Sequence, residues 1–568
     1  MRPAAGEGLR AGPETAARAR PYRRKRRAYA PGRFHYLPPR YRVSRQSVRP
    51  ALTLLVLAHL AASPLPAQSP PGQPSPAAVR RAAEGITEAG MRRRMAVLSD
   101  DSMRGRDTPS PELDQTAAYV ATEFRRLGLR PGGDRGTFIQ RYPVRRTRMD
   151  STSYVEASVR GTVRRWRAGG EISIADGVLP ERPAAGPAVL MAGLPPDTTA
   201  PFGEVSVRGA VVVNALTWDE FRQNERIVNA AVRRAQGAGA IGWLFLVSGM
   251  PAGTMARWAR SDVQARTAPE GPGFEPASHI PVVVAQDTSA AQLLRAAGED
   301  PAALFAAGAR GVRSLRDFSI TLALRRSVLA EHTAPNVVGI LEGSDPRLRS
   351  EYVVISAHMD HVGVGRPIQG DSIFNGADDN SSGTVSVMEL ARAFSSLRPR
   401  PRRSMVFLVV SAEEKGLWGS TRYAAGPSVP LAQTVADLNM DMISRNAHDS
   451  ISAIGQEHSS LGETARRVAG EHPELNMRVV GDLWPDENFF YRSDHINFAV
   501  AGVPILFFFS GPHPDYHRVT DTMDRADVDK AVRVTRLMFH LGLDVANAAQ
   551  RPQWNPESRR RIVRGGGN

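Results

Sequence analysis

The sequence predicts an α/β protein: a mostly parallel sheet covered on both faces by helices, accompanied by a small, separate β-rich domain. Three observations carry this expectation. Residues 352–356 (YVVIS), 404–410 (SMVFLVV) and 503–509 (VPILFFF) are short, nearly all-apolar runs, as expected of strands buried on both faces. Between the first two lies a helical pattern, residues 384–396, with Val385, Met388 and residues 391–394 turned inward. Between about Trp166 and Gly311 the texture changes, and short β-type runs alternate with Gly/Pro-rich turns.

A chain of 568 residues, 42% of them hydrophobic, has room for two packed domains and a tail. The net charge of +16 raises a nucleic-acid reading. Fourteen Arg or Lys against two Glu in residues 1–50 supply +12 of it, so the remainder has an ordinary balance and no nucleic-acid partner is expected. Three lysines (Lys25, Lys415 and Lys530) against seventy arginines point to a GC-rich bacterial coding bias. The absence of cysteine excludes disulfides, thiolate metal sites and a cysteine nucleophile.

Residues 51–62 (ALTLLVLAHLAA) form an apolar run after Arg45 and Arg49. The run is too short to span a bilayer comfortably, and Ser63, Pro64 and Pro66 break it. With the small residue Ala67 these are the parts of a secretory signal, so residues 1–67 are expected to be a basic leader and signal, and the protein secreted or periplasmic. The Arg-rich stretch before the run is long for a signal, which a translation start near Val43 would explain; the competing reading is a cytosolic basic tail followed by a membrane anchor. Residues 68–82 begin Pro/Ser/Gln-rich and read as a linker. A helix follows, capped by Ser110, with Pro111 in its first turn and Gly128 ending it. Leu113, Ala117, Val120, Phe124 and Leu127 give it one apolar face.

In residues 166–311 the β-type runs are 210–213, 241–247 and 280–284, and no His, Asp or Glu cluster has ligand-like spacing. Beyond residue 312 the chemistry gathers where the buried runs end. YVVIS leads into AHMDH (His358, Asp360, His361), and SMVFLVV into SAEEKGLWGS (Glu413, Glu414). VADLNMDMISR delivers Asp441, NGADDNSSG carries Asp378 and Asp379, and GPHPDYHRVTDT carries His513 and His517. In open α/β sheets ligands bind beyond the carboxyl ends of the strands, so these positions converge on one edge. Oxygen and imidazole donors without thiolate suit catalytic zinc. Two metals about 3.5–4 Å apart require a carboxylate that reaches both. Adjacent glutamates allow one to bind metal while its neighbour takes a proton from water.

AHMDH, GADDNSSG, SAEEKGLWGS, NMDMISR, YRSDH and DYH, in this order, resemble the M28 family of metallopeptidases, which includes aminopeptidases and glutamate carboxypeptidases. The resemblance implies a mixed, mainly parallel sheet sandwiched by helices, the zinc exopeptidase fold. It implies a catalytic domain in residues 83–165 and 312–548, a protease-associated (PA)-like insert in 166–311 and a tail in 549–568. It implies two zinc ions per chain, held by His358, Asp379, Glu414, Asp441 and His517, with Asp379 bridging; Asp378 is the competing bridge. Glu413 falls on the general base acting on a metal-bridging water, Asp360 on the partner that orients His358, and Tyr516 on a residue that stabilises the oxyanion in some members. His361, His458, His495 and His513 have no ligand role in that pattern and read as structural or supporting. Asp494 reads as a helix cap or polar support, Arg445 as an ion-pair partner that could also meet a substrate carboxylate, and Trp418 and residues 507–509 as core.

The implied function is a secreted dinuclear zinc exopeptidase acting on peptides, an aminopeptidase in the first place. A carboxypeptidase or dipeptidase is the alternative, and a non-catalytic binding protein on the same fold the remote one. The M20 family also uses HxD and EE motifs, but the twenty-seven residues from Glu414 to Asp441 leave no room for its inserted domain. The single-metal glutaminyl cyclase branch has altered ligands, and here both halves of the site are retained.

Overall fold

The Ser404–Val410 strand shows how the main sheet is built. Met405, Phe407 and Val409 enter one hydrophobic cluster, and Val406, Leu408 and Val410 enter another, because successive side chains point to opposite faces. The first face is covered by the Pro111–Arg126, Gly383–Ser396 and Val528–Asn547 helices; the second carries Trp418–Ala425 and His495–Val500. A computed structural model describes residues 73–195, 199–275, 278–286 and 290–563. The leader, the signal, the first five residues of the 68–82 linker and the last residues of the tail lie outside the described residues.

Ten strands form this sheet. Its centre is parallel, in the order Ser404–Val410, Tyr352–His358, Thr434–Asp441, Ile505–Phe509. Antiparallel pairs flank it, including Arg326–Leu341 against both Ser404–Val410 and Ile139–Met149. The sheet is therefore mixed and mainly parallel at its core, and an α/β fold is observed.

The Pro111–Arg126 helix starts where expected. Ser110 Oγ accepts the Leu113 N–H, Pro111 occupies the first turn, and Leu113, Ala117, Val120 and Phe124 are buried. Phe124 and Phe394 lie 6.3 and 6.1 Å, ring to ring, from Phe407, so this aromatic contact ties two helices to the sheet. Phe407→Ala is expected to cost about 3–5 kcal/mol, measured by denaturant unfolding.

Two boundaries differ from the sequence expectation. Pro76–Glu84 is a helix capped by Ser75, although residues 76–82 were expected in a linker; burial of Ala82 and Ala83 gives it a packed side. The second sheet runs from Tyr154 to Ala323, beyond both ends of the expected 166–311 segment. Tyr154–Val159 alternates half-buried and buried positions, and Thr162–Arg167, with Arg164 and Arg165, is mostly half-buried or exposed, so both lack the apolar signature of a buried run. This sheet has eight strands and two hydrophobic clusters of its own. Four of its strands are parallel, from Ala184–Ala192 through Val211–Thr217 and Gly242–Ser248 to Val282–Gln286, and Glu225–Gly237 is a helix among them. The segment thus combines its strands with a helix that ends at Gly237, just before Gly242–Ser248. Arg266–Pro269 leaves it to pair with Ile139–Met149 of the main sheet.

Candidate metal centre

Because the four central strands run parallel, their carboxyl ends share one edge, and the chain places its acidic and imidazole side chains there. Tyr352–His358 ends on His358 and Thr434–Asp441 on Asp441. Glu413 and Glu414 follow Ser404–Val410 by three and four residues, and His517 lies in the loop after Ile505–Phe509. Ala412, Met442 and His517, each within one residue of these groups or among them, have left-handed backbones (φ 55°, 51° and 54°). Such backbone in non-glycine residues costs free energy and gathers at functional sites.

Two donor groups result. His358, Asp379 and Asp441 form one; His361, Asp379, Glu414 and His517 form the other, with one donor atom per residue within 4.8 Å of the rest of its group. Asp379 belongs to both. Its Oδ1 is 3.5 Å from His358 Nε2, and its Oδ2 is 3.2 Å from His517 Nε2. Asp441 Oδ1 lies 3.2 Å from His358 Nε2, and Glu414 Oε2 lies 3.0 Å from His517 Nε2. Asp378 faces away: its Oδ1 accepts the Ser444 N–H and Oγ–H, and its Oδ2 is 3.3 Å from His513 Nε2. Of the two aspartates in the loop, Asp379 is the one between the groups.

The electrostatics of the cluster call for cations. Burial disfavours charge on His358, yet Asp441 and Asp360 pull its pKa well above the ordinary imidazole value. Burial likewise works against His517, but Asp379 and Glu414 raise it to about 10. Burial opposes ionisation of Glu414, and hydrogen bonds from His361 and His517 still hold it well below the usual carboxylate range. Burial pushes Glu413 well up, with His358 opposing and Asp441, Asp494 and Glu414 adding to the rise. The two groups bring three carboxylates and three imidazoles together, oxygen and nitrogen donors that suit zinc, so a pair of divalent cations fits.

Supporting contacts fix the donors. His358 Nδ1–H donates to the Asp360 carbonyl at 3.2 Å, leaving Nε2 for the cluster. The Asp360 carboxylate accepts the N–H groups of Glu413 (3.1 Å) and Glu414 (3.4 Å), joining two of the strand-end loops. Ser493 Oγ donates to Asp441 Oδ2. Two supports escaped the sequence reading. Asp521 accepts the N–H groups of both Asp378 and Asp379, which holds the shared aspartate's backbone. Arg106, almost wholly buried, donates to the carbonyls of Leu98, Met359, Asn375 and Gly376, stitching together the loops of His358 and Asp379. Burial brings its pKa down to about 10, against the pull of Asp360, Asp379, Asp521 and Glu414.

Residues 336–542, which contain every donor just described, match Peptidase family M28. This segment is an M28 peptidase domain. A probable lipoprotein aminopeptidase, LpqL, of Mycobacterium tuberculosis is 27% identical over 203 residues, 31% of this chain and 39% of that protein. A probable glutamate carboxypeptidase of Arthroderma benhamiae is 30% identical over 153 residues, 26% of this chain and 19% of that protein. The chain thus spans less than half the length of these curated relatives. Among solved structures, an aminopeptidase from Aneurinibacillus sp. strain AM-1 aligns over 83% of this chain and 97% of its own at 17% identity, with a TM-score of 0.43.

Beside the donors, the M28 domain holds a cavity of about 400 Å³ whose lining includes Glu413 and Asp441 together with Leu417, Phe489, Phe509 and Tyr516. The half-buried Tyr516 ring lies 4.0 Å from that of His517, and burial beside Asp379, Glu414 and Asp441 raises its phenol pKa. Arg445 does not face the cavity as a free cation; it pairs with buried Asp515 at 2.5 Å. Asp494 sits at the start of His495–Val500, but its carboxylate accepts from Ser420 Oγ and makes no capping bond. Trp418 packs beside a small cluster of Tyr142, Val144 and Ala334. Phe507 and Phe509 are core residues that also reach the cavity wall. His495 stacks on Phe507, His458 bonds Ser558, and His513 faces Asp378, all outside the two donor groups. His361 departs from the expectation for those histidines, standing inside one of the groups.

Proposed function

We propose that this chain is a dinuclear zinc exopeptidase, acting first of all as an aminopeptidase. The observation that carries the reading is Asp379, whose two carboxylate oxygens face separate donor groups. In this reading His358, Asp379 and Asp441 hold one zinc, and Asp379, Glu414 and His517 hold the other. The chemistry supplied by zinc at these donors is Lewis acidity towards a carbonyl and towards water.

The remaining steps belong to the chain's own residues. Glu413 stands at the cavity beside both donor groups and takes the proton of the attacking water, then delivers it to the departing amine. Asp360 keeps Glu413 and Glu414 in place through their backbone N–H groups. Tyr516 stands at the cavity wall, where its hydroxyl can donate to the oxygen that becomes negative as the carbonyl is attacked. The aromatic residues of the lining receive an apolar side chain, and its carboxylates receive the free α-amine of a peptide.

Aminopeptidase is favoured over carboxypeptidase because Arg445 is already committed to Asp515. Arg492, which does line this cavity, is paired with Glu487 and lies over the Phe489 ring; a carboxypeptidase would use it for the terminal carboxylate. The apolar run at 51–62 supports export, and the second sheet is read as the PA-like insert. The test is a panel of aminoacyl-anilides, N-blocked peptides and free dipeptides, run before and after chelation. Turnover of free-amine anilides that chelation abolishes and zinc restores is expected. Turnover of N-blocked peptides with free carboxylates instead would select the carboxypeptidase, and no turnover by a zinc-loaded chain would overturn both.

A further inference from the structure

We propose that His361 is a third imidazole ligand of this centre, binding the metal shared by Asp379, Glu414 and His517 and giving that position one more protein donor than the other. The inference rests on the dinuclear reading above. The family pattern assigns the position no ligand role, so the case is geometric.

His361 is completely buried. Its Nδ1 lies 2.9 Å from Glu414 Oε1 and 3.6 Å from Asp379 Oδ2. His517 approaches the same two residues from another side, at 3.0 Å from Glu414 Oε2 and 3.2 Å from Asp379 Oδ2. Each glutamate oxygen therefore meets one imidazole, and one aspartate oxygen meets both. With metal–donor bonds of about 2.0–2.2 Å, donors arranged tetrahedrally around zinc stand about 3.3–3.5 Å from one another. The separations of 2.9–3.6 Å lie near that spacing, and a simple hydrogen bond from His361 to Glu414 would not by itself also bring His361 within 3.6 Å of the shared Asp379.

The ring has no other polar employment. Its Nε2 is buried without a hydrogen-bond partner, so Nδ1 makes its polar contacts. Gly376 leaves room for it: a Cβ there would stand 2.7 Å from the ring carbons, on a backbone with φ of 60°. The close approach and the left-handed backbone both require glycine at that position. The consequence is asymmetry. The position with His361 offers two imidazoles and two carboxylates; the His358 position offers one imidazole and two carboxylates, and leaves more of its coordination sphere to substrate.

Zinc K-edge EXAFS on the zinc-loaded full chain counts imidazoles directly, alongside metal content per chain. Three imidazoles for two zinc ions are expected in the unmodified protein, falling to two in His361→Gln. Chelator competition should show one of the two ions released at least about tenfold more readily in that variant. Two zinc ions with only two imidazoles in the unmodified protein would overturn the inference while leaving the dinuclear centre intact. Fewer than two zinc ions would overturn the dinuclear reading itself. If His361→Gln does not fold, the imidazole count of the unmodified protein still decides.

Discussion

Glu413→Gln is expected to keep its zinc and lose turnover by roughly 100- to 10,000-fold, about 3–5 kcal/mol on the barrier. The glutamine is nearly isosteric, and Glu413 stands outside both donor groups, so metal content should not change. The backbone N–H that Asp360 holds is retained as well. What is lost is a carboxylate able to receive a proton where the cavity meets the donors. The measurement is kcat on an aminoacyl-anilide with zinc determined in the same sample. Near-normal kcat would remove Glu413 from its role, and loss of zinc would make it a ligand.

Asp379→Ala is expected to fail differently, losing metal before it loses chemistry. Each donor group contains this residue, so one substitution leaves His358 and Asp441 on one side and His361, Glu414 and His517 on the other. It also removes a buried carboxylate beside His517, whose pKa it helps to raise. Zinc content after dialysis should fall well below two per chain, with activity following it. Asp378→Ala supplies the contrast. It frees the Ser444 N–H and Oγ–H and faces His513, so its effect should register in stability and leave the zinc count intact. If Asp378→Ala were the variant that lost zinc, the assignment of the two aspartates would be reversed.

Much of this centre was legible because apolar runs expose their ends. His358 and Glu414 follow or close nearly all-apolar runs, Asp441 closes a strand that also holds Asp437 and Asn439, and parallel packing brings the ends to one edge. The choice between Asp378 and Asp379 was not legible, since neighbours in sequence differ here only in which way the loop turns. Arg106 and Asp521 were hidden for another reason. Both work on backbone groups of distant segments, which leave no mark on the residue types around them. His361 has the right chemistry in the right motif, and only the approach of His517 across the cluster gives it a place. The limits of the second sheet were misplaced because strands with one polar face, such as Tyr154–Val159, lack the run that marks a buried strand.

The contacts of Arg106 also bear on what counts as a self-sufficient folding unit. This side chain lies more than two hundred residues before the M28 match begins at 336, yet three of the carbonyls it satisfies belong to loops inside that match. The strand Ile139–Met149, also upstream, covers the edge of Arg326–Leu341. A truncated protein starting at 336 would therefore expose a sheet edge and leave buried acceptors beneath the acidic cluster without their guanidinium. The packing of the matched segment and the seating of its acidic cluster thus draw on residues well upstream of position 336.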